Sequence, residues 1–206
     1  MRCVIICGSP DYDIELIKSV IKSEDYVICA DRGYAYAKMA DIEPNLIVGD
    51  FDSYTGEVSG ECEIIRLNTH KDDTDTMHAI DIAVERGCTD FVLLSALGGR
   101  FDHSFANVSA LEYIKRKKCN GMILTSSEKI LFLSLGKHII NNCKGKTFSL
   151  FPFGCEKVCV TYANTEYPAQ DLELESDYPM GVSNVFTNDN AIVQISRGKA
   201  IMIINL

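Results

Sequence analysis

A chain of 206 residues, 47% of them hydrophobic, can bury one substantial core or two small ones. Its formal charge of −9 argues against charge-driven adhesion to nucleic acid or to an anionic membrane surface, so neither is expected as a partner, and a polyanionic substrate would need a metal ion to bridge it. The apolar stretch after Arg2 is too short for a signal peptide or a membrane span and no later run reaches spanning length, which predicts a soluble, cytoplasmic protein.

The first part of the chain alternates strand and helix signals. Arg2–Cys7 reads as a continuous apolar strand, Ile14–Ile21 as a helix, Tyr26–Ala30 as a second strand, and Gly33–Ala40 as a short helix closed before Pro44. Leu46–Val48 and Glu63–Leu67 are the third and fourth strands, with a polar loop through Tyr54–Glu61 between them. Thr74–Arg86 sets Met77, Ile80 and Val84 on one helical face and stops at Gly87, which suits a left-handed C-cap. Phe91–Leu97 and Met122–Thr125 are further strands, separated by a helix with Phe105, Val108, Leu111 and Ile114 as its apolar stripe. Strands alternating with helices imply a doubly wound, mostly parallel sheet.

Near Ser126 the pattern changes, and helical periodicity almost disappears. Lys129–Leu135, His138–Asn141, Thr147–Phe151, Lys157–Tyr162, Asp171–Leu174, Ala191–Ser196 and Ala200–Ile204 read as short strands bounded by Gly, Asn and Pro. Residues 1–126 are therefore expected to form an α/β domain and residues 127–206 a small C-terminal β-sandwich. The nine cysteines, an odd and scattered set without a Cys-x-x-Cys pair, fit reduced and mostly buried thiols.

Three carboxylate-bearing segments each follow an apolar strand: Gly49-Asp50-Phe51-Asp52-Ser53, Asp72-Asp73-Thr74-Asp75 and Gly98-Gly99-Arg100-Phe101-Asp102-His103. In an open parallel sheet the carboxyl ends of the strands border the ligand crevice, so these loops are expected to converge on a cation-and-phosphate site. Asp50 and Asp52, two apart, would point the same way from an extended backbone and offer hard oxygen donors suited to Mg²⁺; an Asx-turn capped by Ser53 explains the same residues structurally. Asp72, Asp73 and Asp75 sit where N-capping and the helix dipole favour acids, yet three in four residues exceed what a cap requires. The same helix start could hold a phosphate oxygen, with Lys71 neutralising it and Asp75 completing the coordination of a metal on Asp50 and Asp52. Arg100 offers a planar fork to phosphate oxygens, and Asp102 could orient Arg100, bind ribose or cap the helix. His103 is a capping or surface residue before it is an acid–base group. Asp31, in Asp31-Arg32-Gly33 after the second strand, adds a carboxylate at the same sheet edge.

Taken in order, Cys29–Gly33, Pro44–Ser53, Asp72–Asp75, Gly98–His103 continuing to Asn107, and Ser183-Asn184 resemble the motifs of the thiamin pyrophosphokinase family over nearly the whole chain. Arg32, where the family usually has glycine, and the absence of tryptophan are departures; any aromatic packing on thiamin must come from Tyr or Phe. The resemblance implies a homodimer that transfers diphosphate from ATP to the hydroxyethyl group of thiamin and requires Mg²⁺. It implies nucleotide chemistry in residues 1–126 and thiamin binding in residues 127–206, with a thiamin site between subunits. Asp50, Asp52 and Asp75 would bind the metal, and Arg100 and Asp102 would serve the nucleotide. Thr74, Ser183 and Asn184 would lie near thiamin or its diphosphate, and Asp31, Lys71 and Asp72 would complete the binding set. Rival readings are a pyrophosphokinase acting on a pterin alcohol, a phosphatase of the haloacid-dehalogenase type with Asp50 as nucleophile, and a non-catalytic nucleotide-binding module. No P-loop is present.

Overall fold

The computed structural model describes residues 1–49, 62–67 and 73–206. Asp50, Asp52, Lys71 and Asp72 lie outside the described residues. The chain divides into two compact units, Met1–Ser126 and Ser127–Leu206.

The first unit runs β1 (Arg2–Ile6), α1 (Ile14–Val20), β2 (Tyr26–Ala30), α2 (Gly33–Met39), β3 (Leu46–Gly49), β4 (Glu63–Arg66), α3 (Asp75–Glu85), β5 (Asp90–Leu94), α4 (Phe101–Arg116) and β6 (Asn120–Leu124). Its strands lie in the order β6-β5-β1-β2-β3-β4, and each neighbouring pair is parallel. Side chains alternate between faces along a strand. Val4, Ile6, Val27, Cys29, Ile47, Val92 and Leu94 accordingly share one buried cluster with Ile17 of α1 and with Tyr34, Tyr36 and Ala37 of α2. Cys3, Ile5, Ile28, Leu46, Val48, Phe91 and Leu93, on the other face, are equally buried. There α3 packs against β1, β2 and β3, and α4 against β6. Burial on both faces explains why these strands read as unbroken apolar runs.

The order reverses direction at β1. From β1 the chain steps outward through β2, β3 and β4, then returns to β5 on the opposite side. Such a switch point opens a crevice at the carboxyl ends of the two strands that flank it.

The second unit contains β7 (Glu128–Leu133), β8 (Gly136–Asn141), β9 (Thr147–Pro152), β10 (Lys157–Tyr162), β11 (Ala169–Glu175), β12 (Asn184–Val185), β13 (Asn190–Arg197) and β14 (Ala200–Asn205). They pair antiparallel in two groups, β12-β9-β14-β7 and β11-β10-β13-β8. Both groups feed one apolar core: Phe148, Leu150, Met202 and Ile204 from the first meet Val158, Val160, Val193 and Ile195 from the second. Phe148 stacks on Phe186 at 4.2 Å between ring centroids and meets Tyr162 edge-on at 5.6 Å.

Several local expectations need correction. Strand β5 ends at Leu94, short of Leu97, because Ser95 turns the backbone at φ +50°. The buried face of α4 is Asn107, Ala110, Leu111 and Ile114, while Phe105 is exposed. In α3 the buried residues are Thr76, Ala79, Ile80 and Ala83, with Met77 and Val84 at the margin. Strand β12 was not expected at all. All nine cysteines are free, six of them buried. Among the described residues no helix is long and apolar enough to cross a membrane.

Candidate active site

A cavity of about 670 Å³ opens where the switch point predicts it. Its walls come from the loop after β1 (Cys7–Pro10), the end of β2 with Asp31 and Arg32, the start of α3 (Asp73–Thr76) and the β5–α4 loop (Ala96, Gly98–Arg100), with His103 and Asn107 from α4. Four of the expected site residues, Asp31, Thr74, Asp75 and Arg100, are thereby brought together with the neighbouring Asp73.

Each wall is fixed by local chemistry. Thr74 is the N-cap of α3, its Oγ1 accepting from the Met77 N–H at 3.3 Å, so the acidic run Asp73–Asp75 is delivered at a helix start. The next hydroxyl, on Thr76, donates to Cys7 Sγ at 3.6 Å and ties α3 to the end of β1. Burial pushes the Cys7 thiol up to about 12, so it forms an inert floor. Asp31 has φ +49°, a left-handed conformation that aspartate tolerates better than most residues, and its N–H bonds the Val48 carbonyl at 2.9 Å. That bond sets Asp31 beside the end of β3, immediately before Asp50.

The β5–α4 loop is held from three sides. Asn107, buried in α4, donates to the Ala96 carbonyl at 2.7 Å; the Gly98 N–H bonds Ser104 Oγ at 3.0 Å; and the Ser9 hydroxyl bonds the Leu97 carbonyl. Arg100 forms a two-pronged pair with Asp102, Nε to Oδ1 at 3.1 Å and Nη2 to Oδ2 at 2.5 Å. The guanidinium holds the Asp102 carboxyl below its usual range. Both side chains are mostly exposed, so the pair adds little stability; its effect is to aim the guanidinium.

Asp31, Asp73 and Asp75 face Arg32 and Arg100 around one cavity. Carboxylates outnumber guanidinium groups on these walls, so a polyphosphate alone would be repelled. A hard divalent cation between carboxylate and phosphate oxygens removes that repulsion, and oxygen donors of this kind suit Mg²⁺. Among the described residues no cluster of three or more acidic, His or Cys side chains forms a metal site; Asp50 and Asp52 fall outside them.

Ser183 and Asn184 belong to the second unit. Ser183, at φ +61°, is exposed, and its N–H bonds Ser149 Oγ at 3.2 Å. Asn184 is buried, and its amide is spent on the backbone of Tyr167: Oδ1 accepts from the Tyr167 N–H at 3.0 Å and Nδ2 donates to the Tyr167 carbonyl at 2.6 Å. A buried asparagine thus holds in place a tyrosine that is 64% exposed. Sequence reasoning did not reach Tyr167, nor the loop Gly8-Ser9-Pro10. The latter follows a strand like the other three loops but lacks the charged residues that mark them.

Comparison with known proteins follows the same division. Residues 17–123 match the family model described as thiamin pyrophosphokinase, catalytic domain, and residues 137–202 the model described as thiamin pyrophosphokinase, vitamin B1 binding domain. A thiamine pyrophosphokinase of Bacillus subtilis is 24% identical over 205 residues, covering 97% of this chain and 96% of the relative. The rice protein thiamine pyrophosphokinase 3 is 24% identical over 170 residues, and there the match spans 75% of this chain but only 62% of the relative. In fold, the crystal structure of the Bacillus subtilis thiamine pyrophosphokinase superposes with a TM-score of 0.90 at 21% identity, covering 100% of this chain and 99% of that one. The Candida albicans thiamin pyrophosphokinase gives 0.81 at 18% identity, covering 100% and 88%. Because the two family models fall in order, one inside each of the two compact units, the chain belongs to the thiamin pyrophosphokinase family.

Proposed function

We propose that this chain is an ATP:thiamin diphosphotransferase that makes thiamin diphosphate and AMP, working as a homodimer in the cytoplasm. The observation that carries the reading is the cavity at the β1/β5 switch point, which collects carboxylates, a guanidinium and a helix start in a chain of this family. Nine unbridged thiols suit a reducing compartment.

In this reading Asp50, Asp52 and Asp75 hold Mg²⁺, which when bound lowers the negative charge that the phosphates carry in the transition state. Arg100, aimed by Asp102, takes up charge on the transferred phosphates. Lys71, Asp72, Thr74 and the first amides of α3 position the chain of phosphates, and Asp31 closes the crevice on the β2 side. Positioning and charge stabilisation are what such transfers chiefly require. The thiamin hydroxyl oxygen bonds to the β-phosphorus, the bond from that phosphorus to the α–β bridging oxygen breaks, and AMP departs with that oxygen. Asp75 and Asp102 are the candidates to accept the hydroxyl proton; metal binding weakens the first as a base and the pairing with Arg100 weakens the second, so positioning outweighs base catalysis. On the thiamin side, Ser183 and the ring of Tyr167, presented by Asn184, contact the vitamin.

The deciding experiment is product analysis with ATP, thiamin and Mg²⁺. AMP and thiamin diphosphate in equal amounts are expected. ADP with thiamin monophosphate would overturn the assignment, and AMP formation only with a different alcohol would overturn the substrate. Sedimentation of the purified protein tests the dimer.

A further inference from the structure

The β1 loop carries an aromatic feature that the transfer chemistry does not use. Tyr12 stacks on Tyr36 with ring centroids 4.1 Å apart and planes inclined by 21°. Tyr36 is buried in α2 as part of the apolar cluster under the sheet face, whereas Tyr12 keeps 41% of its surface exposed. One face of the Tyr12 ring is therefore covered by a rigid neighbour, while much of the residue stays open to solvent.

The stack lies at the rim of the cavity. Arg32, a cavity residue, lies near enough to the Tyr36 hydroxyl for its charge to act on it. The two residues before Tyr12 lie against the β5–α4 loop: a Cβ built at Gly98 would sit 2.0 Å from Asp11 Oδ2, and one at Gly99 would sit 2.5 Å from Pro10 Cγ. The loop that presents Tyr12 is thus seated on the loop that presents Arg100.

We propose that the face of Tyr12 turned away from Tyr36 is the shelf on which the purine ring of the nucleotide stacks. The proposal rests on the ATP-dependent reading above and extends it to the base. A flat aromatic backed by a second ring loses little freedom when a base lands on it, and stacking of this kind tolerates any base with a π face. With its phosphates at Arg100 and its base on Tyr12, a nucleotide would lie along the β1 loop. Tyr36 and Arg32 act here as positioning residues that keep the shelf flat.

The test compares ATP with inorganic tripolyphosphate, both with Mg²⁺, by titration calorimetry on the full chain. Tyr12→Leu keeps apolar cover over Tyr36 and removes the flat ring. It should weaken ATP binding on the order of 10- to 100-fold while tripolyphosphate binding stays within about twofold, since only the base has lost its contact. Tyr12→Phe should restore the preference for ATP over tripolyphosphate. An equal loss for both ligands would mean that the stack merely supports the loop, and an unchanged ATP affinity would mean that the base lies elsewhere; either overturns the proposal. Because the readout needs no thiamin, a failed transfer assay with a normal ATP preference would count against the proposed reaction and leave the shelf standing.

Discussion

Replacing Gly98 with alanine adds one methyl group where the crevice has no room for it. Gly98 has φ +103°, and its added Cβ would lie 2.0, 2.4 and 2.5 Å from Oδ2, Cγ and Cβ of Asp11. Two costs combine. The left-handed backbone alone disfavours a side chain by about 1–2 kcal/mol, and the crowding adds about 1–3 kcal/mol more, typical of an overpacked site. Gly87 separates them, because it has φ +83° and a Cβ there would meet nothing within 4 Å. Urea unfolding should therefore show Gly87→Ala losing only the backbone cost and Gly98→Ala losing both. In an Asp11→Gly background, which removes all three crowding atoms, the cost of Gly98→Ala should fall to that of Gly87→Ala. Activity should divide the same way. Gly98→Ala displaces the loop that carries Arg100, whereas Gly87 follows α3 at the opposite end from the helix start that lines the cavity. A Gly98→Ala variant no less stable than Gly87→Ala, or a cost that Asp11→Gly does not reduce, would refute the packing of the β1 loop on the β5–α4 loop.

Asp75→Asn should lower kcat on the order of 100-fold or more without moving the thermal unfolding midpoint, and Asp52→Asn should do the same; near-normal turnover at limiting Mg²⁺ would remove that residue from the metal site. Asn184→Ala would strip the Tyr167 N–H of its side-chain partner and leave its carbonyl with the Thr165 hydroxyl, costing about 1–3 kcal/mol in denaturant unfolding, and in steady-state kinetics should raise KM for thiamin while leaving KM for ATP in place. Asp25 accepts from Arg2 Nε at 2.7 Å and from the Lys22 N–H at 2.8 Å, and the guanidinium holds its carboxyl below the usual range. Since the folded value lies below the unfolded one, this pair stabilises fully above about pH 4 and its contribution is lost as pH falls below that. Asp25→Asn should therefore be less stable than wild type at pH 7 and show a shallower loss of stability below about pH 4, measured as urea midpoints against pH; parallel acid profiles would discount the pair.

The parallel strands were legible because burial on both faces leaves continuous apolar runs such as Val4–Ile6 and Phe91–Leu94. Helix faces were harder. Sequence periodicity gave weight to the largest apolar side chains, Met77 and Phe105, but α3 and α4 bury small or polar residues such as Ala79, Ala83, Asn107 and Ala110. A helix lying close to a sheet needs small residues at the contact, and hydrophobicity alone does not report them. The crevice was legible through its charges at strand ends. The uncharged wall from β1 was not, because Gly8-Ser9-Pro10 contributes backbone and packing. Nor could spacing reveal that Asn184 holds Tyr167, since the two meet only through tertiary structure, 17 residues apart.

The position of β14 also governs the order in which the protein can be made. In the second unit β14 lies between β7 and β9 and supplies Ala200, Met202 and Ile204 to the core, yet it is synthesised after every strand it pairs with. In the first unit the equivalent central place belongs to β1, which leaves the ribosome first, and the sheet is complete once β6 has emerged. The α/β unit can therefore fold during translation while β7 and β9 still wait for their shared partner. During that interval two apolar strand edges stand open. A ribosome stalled before Ala200 would release a chain with a finished first unit and a second unit that cannot close.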